Sequence, residues 1–463
     1  MKPKREILKT FGQITKSVIA TSKGDSSAAR DARPTFQDDD LGEIQVLPEY
    51  LEVKRLINTS HPLIFVTGGA GTGKSTFIRW LDNEFKGKTL LCAPTGIAAL
   101  TISGKTIHSM CRLPPSWVVD TDIKLHPQSL AQHADVLIVD EISMVDANLL
   151  DAMDSFFRLN RGNTKPFGGI SVVLVGDLFQ LPPIITKTTE PLFDAEYDSP
   201  KFFAANAITS SNCHVVELTE TFRQTDQKFV ELLSDIREGK RIPEALEVLN
   251  VSCKITNDPD PGTISLSPRR IEVERINSYR LERLPGKLKT FQGVTTGKFP
   301  DRQLPVPINI ELKVGAQVML AKNSRGTKDF VNGDIGTITE ISTDRVKVMI
   351  ERSQSVVEVP IAQWEQFEYK FNEETKKIER EVVGTYSQLP IILGWAITIH
   401  RSQGLTLEKV HIDLGQGAFE TGQTYVALSR CRSLATLSIA RPVRSGDIKV
   451  DPQATAFYEA VRQ

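Results

Sequence analysis

Residues 68–76 read Gly68-Gly69-Ala70-Gly71-Thr72-Gly73-Lys74-Ser75-Thr76, which satisfies G-x-x-x-x-G-K-[ST]. Glycines at this spacing let backbone N–H groups turn inward around phosphates, and the N-terminus of the helix that follows adds the positive end of a dipole. Lys74 would then reach the β- and γ-phosphates and Ser75 would hold Mg²⁺. Further along, "VLIVDEISM" ends an apolar strand in Asp140 and Glu141. In a phosphate-loop enzyme the first acid takes the Mg²⁺ through water. The second is the candidate base that orients the attacking water. Alone, such an acid pair would read as a solvated strand end; the upstream loop makes ATP and Mg²⁺ the expected cofactors.

Other strands also end in polar residues. "PFGGISVVLVGDLFQLPPI" (166–184) holds an apolar, β-branched run that stops in Gly176, Asp177, Gln180, Pro182 and Pro183. Gln180 can hydrogen-bond a γ-phosphate or the attacking water. Asp177 can anchor the loop or hold a partner across a cleft. The two prolines fix φ, so a displacement of Gln180 would be transmitted. "CAPTGIAAL" places Pro94 and Thr95 before a small-residue helix start, which suits a nucleic-acid phosphate or an ordinary turn. "TIHSM" offers His108, equally readable as structural. "LTETFRQ" puts Arg223 at the lip of a strand, and "TYVALSRCRS" puts Arg430 on a later helix. An arginine delivered across a cleft to a γ-phosphate is worth about 10³–10⁵ in rate, roughly 4–7 kcal/mol of barrier. "AITIHRSQGLTL" ends a strand in His400, Arg401, Ser402, Gln403 and Gly404, at the carboxyl end where ligands bind parallel sheets.

The elements that must position these residues alternate. Short apolar strands such as "LIFVTG", "TLLCAP" and "DVLIVDE" are separated by amphipathic helical stretches, and a second series holds "TISLSP", "WAITIH", "KVHIDL" and "ATLSIA". This predicts an α/β fold with two RecA-like phosphate-loop domains in tandem. Residues 45–250 form the first; 251–306 and 389–463 form the second. Residues 307–388, with short strands broken by Asn-Gly-Asp and charged turns, read as a small β-barrel and hairpin inserted in the second. Residues 1–44 read as a disordered, initially basic tail.

Composition sets few further limits. The 463 residues carry a formal net charge of −1, so a nucleic-acid partner would have to meet a local basic groove. Five scattered cysteines with no CxxC pair argue against a disulfide framework or a zinc site. No apolar run approaches about 18 residues, which predicts no membrane span.

In order, "GGAGTGKST", "APTGIAA", "TIHS", "DEISM", "PFGG…GDLFQLPP", "LTETFRQ", "HRSQGLT" and "YVALSR" resemble the superfamily 1 DNA helicases of the Pif/RecD-like group. The likeness is closest to the Pif branch, through Pro-Phe-Gly-Gly and Gly-Asp-x-x-Gln-Leu-Pro-Pro, and covers about residues 50 to 440. The resemblance implies ATP between the two domains, 5′-to-3′ movement on single-stranded DNA, and unwinding of duplex or forked DNA in replication, recombination, repair or telomere maintenance. It assigns Lys74, Ser75, Asp140 and Glu141 to ATP and Mg²⁺, and Gln180, Arg223, Gln403 and Arg430 to the γ-phosphate. It turns Pro94, Thr95, His108, His400 and Ser402 toward DNA, and suggests Trp117, in "CRLPPSWVVD", as an unwinding wedge. A monomer is expected, with replication or recombination proteins as further partners. The location would be cytoplasmic (nucleoid) in a prokaryote or virus and nuclear in a eukaryote. Two alternatives share these residues: a RecD-like subunit of a recombination or conjugation complex, and an assembly ATPase without nucleic acid. The second gives no reason for Gln-Leu-Pro-Pro or His-Arg-Ser-Gln-Gly.

The chain departs from the family pattern at the adenine. Family members carry a glutamine ahead of the phosphate loop that reads the adenine edge; here no glutamine lies between Gln45 and Gly68. Discrimination of ATP from GTP is expected to be weak. A kcat/KM ratio for the two nucleotides equal to that of a glutamine-bearing relative would refute this.

Overall fold

A computed structural model of the chain describes residues 44–462, apart from 60–62, 128, 210–212, 225, 325–328, 373 and 375–376. The tail expected over 1–44 lies outside the described residues except for Ile44. Helix α1 (Pro48–Asn58) leads into strand β1 (Leu63–Gly68) and helix α2 (Lys74–Glu84). Strands β2 (Thr89–Ala93), β3 (Lys105–Thr106), β4 (Val136–Val139), β5 (Ser171–Gly176) and β6 (Cys213–Leu218) complete a six-stranded sheet of order β3-β2-β4-β5-β1-β6. Every pairing in it is parallel. The central strands β1, β4 and β5 are buried throughout and almost wholly apolar because both faces are covered, whereas the edge strands β3 and β6 carry polar residues. Leu63, Phe65, Val172 and Leu174 point into one core, while Ile64, Val66, Val173 and Val175 point into another. Strand β5 sits between β4 and β1, so its carboxyl end is next to both the acid pair and the phosphate loop.

A second, five-stranded parallel sheet comprises β7 (Lys254–Ile255), β8 (Ile264–Ser267), β9 (Ala396–Thr398), β10 (Val410–Ile412) and β11 (Leu437–Ile439), in the order β9-β8-β10-β11-β7. Between β8 and β9 the strands are antiparallel. One sheet joins Gln317–Leu320, Ile335–Ile341, Arg345–Ile350, Ser355–Pro360 and Ile391–Leu393, and a long hairpin pairs Ala362–Asn372 with Lys377–Gln388. Antiparallel pairing begins at Lys289–Gln292 and ends at Ile391–Leu393. The region is therefore wider at both ends than the 307–388 read from sequence, because the flanking strands complete its edges.

The two parallel units also exchange helices. Helix α3 (Gln227–Glu238) touches helix α4 (Gln423–Leu428) beside the second sheet, and Asn250 exchanges hydrogen bonds with the backbone of Val443 at 2.8 and 2.9 Å. The stretch between the two sheets therefore contacts both units, since Arg237 of α3 also bonds Asp177 after β5. In return, helix α5 (Pro452–Arg462) packs on the first unit. Phe457 stacks on Phe203 with ring centroids 4.8 Å apart and lies 6.4 Å from both Phe65 and Phe202. Lys201 pairs with Asp451 at the start of that helix. The last helix therefore packs against the core of the first unit, although in sequence it follows the strands of the second sheet. Among the described residues no helix is long and apolar enough to cross a membrane.

Phe457→Ala should destabilise the fold by about 3–5 kcal/mol, since it removes a buried aromatic from a stack. Urea unfolding followed by tryptophan fluorescence reads this directly; a loss under about 1 kcal/mol would show that α5 is not an integral part of the core.

Candidate active site

Parallel pairing brings the carboxyl ends of β1, β4, β5 and β6 to one edge, so the predicted motifs converge. The phosphate loop turns through Gly71 (φ +84°) and Gly73 (φ +82°) before α2 begins at Lys74. Gly71 is needed for a second reason: a Cβ there would lie 2.5 Å from Cβ of Arg223 and 2.9 Å from Oε1 of Gln224. Thr72 Oγ1 donates to the Gly69 carbonyl at 3.0 Å. Lys74 Nζ donates to the carbonyls of Gly68 and Gly69 at 2.8 and 2.9 Å, and burial holds its pKa below the usual lysine range. Ala70 lies mid-loop, Ser75 is exposed in the first turn of α2, and Thr76 follows partly buried. Tyr50 of α1 reaches the Gly73 carbonyl at 3.4 Å and packs on Phe77 of α2, bracing the loop from behind.

At the end of β4, Glu141 takes a left-handed conformation (φ +49°) with its N–H donating to Asp140 Oδ1 at 2.8 Å. Burial first, and the neighbouring Glu141 second, push the Asp140 carboxyl up to about 7; burial also raises Glu141. Asp140 is buried and Glu141 beside it partly so, and two adjacent carboxyls held this way favour a positive partner.

The second unit reaches this edge at several points. Gln403 Nε2 donates to Glu141 Oε2 at 3.1 Å and to Gln180 Oε1 at 3.2 Å, bringing three predicted site residues together across the units. Gly404 follows with φ +79°. Tyr425 of α4 donates its hydroxyl to Asp177 Oδ2 at 3.0 Å and accepts the Ala70 N–H at 2.8 Å. Gly422 lets α4 approach: with φ +74°, its absent Cβ would fall 2.5 Å from the Phe179 carbonyl and 2.7 Å from that of Gln180. Arg223 Nη1 donates to the Ser429 carbonyl at 3.1 Å. Its pKa is pushed down to about 9, by burial first and then by Arg430, so it keeps its charge at neutral pH. Arg430 is fully buried just past the end of α4, not on the helix as its sequence context suggested.

A model of the PIF1-like helicase family matches residues 49–246. The ATP-dependent DNA helicase Pif1 of Bdellovibrio bacteriovorus is 32% identical over 90% of this chain and 92% of its own. This chain belongs to the PIF1-like helicases. The ATP-dependent DNA helicase PIF1 of Emericella nidulans is 33% identical over 89% of this chain, which spans only 63% of that relative's length. Among solved structures, Bacteroides Pif1 in complex with ADP-AlF4 gives a TM-score of 0.84 at 32% identity, covering 91% of this chain and 98% of that one. The same protein bound to single-stranded DNA gives 0.66 at 32% identity over 90% and 97%. The α/β fold with its parallel sheets is thus that of the Pif1 structures.

Within this PIF1-like chain, the residues expected to face DNA make the following local contacts. Ser402 is fully buried; its hydroxyl donates to the Ile399 carbonyl at 2.8 Å and its own carbonyl accepts from Arg430, so its side chain is a turn-former. Thr95 Oγ1 accepts the Ala98 N–H at 3.2 Å and so caps the short helix Gly96–Thr101, with Gln303 packed over Gly96. Trp117 is partly exposed and lies edge-on to Phe193 at 4.9 Å and near Tyr197 at 6.2 Å, which anchors it in an aromatic cluster. Pro94, His108 and His400 are partly buried, and burial lowers the His400 pKa. Pro-Phe-Gly-Gly, the motif most typical of the branch, is a structural pin: Phe167, Gly168 and Gly169 all have positive φ, and Arg161 donates to the Gly168 carbonyl at 2.8 Å. Tyr425, Gln224 and Arg237 are site residues that motif reading passed over. Gln224 and Tyr425 lie inside quoted motifs and Arg237 lies in none, but each has its partner more than 50 residues away.

The raised carboxyl pair gives a pH prediction. Asp140 is protonated in the fold up to about pH 7 but only to about 3.9 unfolded, so stability falls as pH rises between those values. In buffer free of Mg²⁺ and nucleotide, Asp140→Asn should therefore melt above wild type at pH 8, with the gap shrinking toward pH 5. Equal melting temperatures across that range would show that the pair carries no such burden.

Proposed function

We propose that this chain is an ATP-driven DNA helicase that moves 5′ to 3′ along single-stranded DNA and unwinds duplexes. The observation that carries the proposal is Gln403, which joins the second unit to both Glu141 and Gln180 of the first. A residue so placed links the position of one unit to the hydrolytic centre of the other, which is what conversion of chemistry into movement needs. We read the units as two RecA-like domains and the antiparallel strands between β8 and β9 as a small barrel with a hairpin. The helicase names of the Bdellovibrio and Emericella relatives support this reading, as do the Bacteroides complexes with ADP-AlF4 and single-stranded DNA.

In this reading the loop N–H groups and Lys74 bind the phosphates, and Glu141 orients the attacking water and accepts its proton. Gln180 and Gln403 sense the γ-phosphate, and Arg223 and Arg430 stabilise charge that develops on it. Ser75 and Asp140 hold Mg²⁺, which when bound neutralises phosphate oxygens. Near-neutral net charge confines DNA phosphate contacts to the rim between the units, with salt-dependent affinity.

Single-stranded DNA should stimulate the ATPase, and the protein should displace the strand from a 5′-tailed duplex but not from a 3′-tailed one. An ATPase indifferent to DNA, or a preference for 3′ tails, would overturn the reading.

A further inference from the structure

We propose that Gln224 is a positioning residue that sets Arg430 against the phosphate loop. The inference rests on the function proposed for this site, in which Arg430 acts at the γ-phosphate. Gln224 is 5% exposed, and its Nε2 donates to the carbonyls of Ser429 and Cys431, both at 3.2 Å. These are the carbonyls on either side of Arg430, so one side-chain amide from the first unit brackets that residue. The same short run is tied to the phosphate loop. The Phe222 N–H donates to the Gly71 carbonyl at 2.9 Å, and Gly71 has no room for a Cβ because Arg223 and Gln224 stand against it. Phe222–Gln224 therefore touches the loop on one side and holds the Arg430 backbone on the other.

The guanidinium of Arg430 is fixed within its own unit. Nε donates to the Val426 carbonyl and Nη2 to the Ser429 hydroxyl, both at 2.8 Å, and Nη1 makes longer contacts to Ser402 and Leu405. The Arg430 carbonyl accepts from the Leu407 N–H at 2.9 Å. What remains to be set is where that assembly stands relative to the loop; Ala70 bonds Tyr425 on the helix before it, and Gln224 with Arg223 bonds the carbonyls that flank Arg430 itself. A carboxamide suits this position because it offers two N–H donors to two carbonyl oxygens and brings no charge next to two arginines.

The test is a double-mutant cycle on the full chain under single-turnover conditions, with and without single-stranded DNA. Gln224→Ala and Gln224→Met, the second keeping the length but removing the donors, should each lower the hydrolysis rate about 10- to 100-fold. The KM for ATP should stay within about threefold. In an Arg430→Ala background neither should change the rate by more than about twofold, because a residue acting through Arg430 has nothing left to position. Wild-type rates in Gln224→Met would overturn the proposal, as would an undiminished loss in the Arg430→Ala background. If Gln224→Ala fails to fold, the Met variant decides alone. A wild-type ATPase that ignores DNA would sink the helicase reading, while the cycle on the basal rate still judges Gln224.

Discussion

A single buried carboxylate joins the parts of this molecule. Asp177 ends strand β5 with no exposure to solvent and accepts from Arg237 Nε at 3.0 Å, Tyr425 at 3.0 Å, the Phe179 N–H at 3.2 Å and Gln180 at 3.4 Å. A charge this deep persists only when it is paired and hydrogen-bonded. The donors come from three places: the loop after β5, helix α3 and helix α4. Arg237 in turn donates to Tyr458 of α5 at 3.2 Å and lies over the Phe179 ring at 4.7 Å. Burial works against its charge, but Asp177, Tyr425 and Tyr458 more than offset this and raise its pKa. Through Tyr425 the network ends on the Ala70 amide of the phosphate loop. The phosphate loop, the end of β5 and helices α3, α4 and α5 therefore share one set of bonds.

The site beside that network holds charge under tension. Burial raises Asp140 and Glu141 and lowers Lys74 and Arg223, so each group is pushed toward its neutral form. Opposed shifts of this kind mark places built to receive charge from outside. A polyanionic nucleotide with a divalent cation would relieve both signs at once. Residues that are poor for stability alone are thus retained where the chemistry needs them.

The exchange of helices gives that chemistry mechanical consequences. Helix α3 packs beside α4, and α5 returns to stack on Phe203. The units are therefore linked by two chain crossings as well as by Gln403, Gln224 and Tyr425. The stacked aromatics hold α5 against the first unit.

Much of the site was legible in the sequence for a local reason. A parallel sheet delivers its strand ends to one edge, so "GGAGTGKST", "DEISM" and "GDLFQLPP" had to meet once "LIFVT", "VLIV" and "SVVLV" were read as strands. The phosphate loop is likewise a property of consecutive glycines. What only the tertiary structure decided are pairings between distant residues and the direction of individual side chains. Tyr425 and Asp177 are 248 residues apart, and Gln224 and Ser429 are 205 apart; no periodicity encodes such distances. Ser402 sits in a polar stretch that reads as surface, yet the turn it closes faces inward. The apolar pattern of the last helix shows that it buries a face, but not that the face belongs to the first unit. Hydrophobic burial is non-directional, so sequence by itself determines what must be covered, and only the assembled packing determines by what.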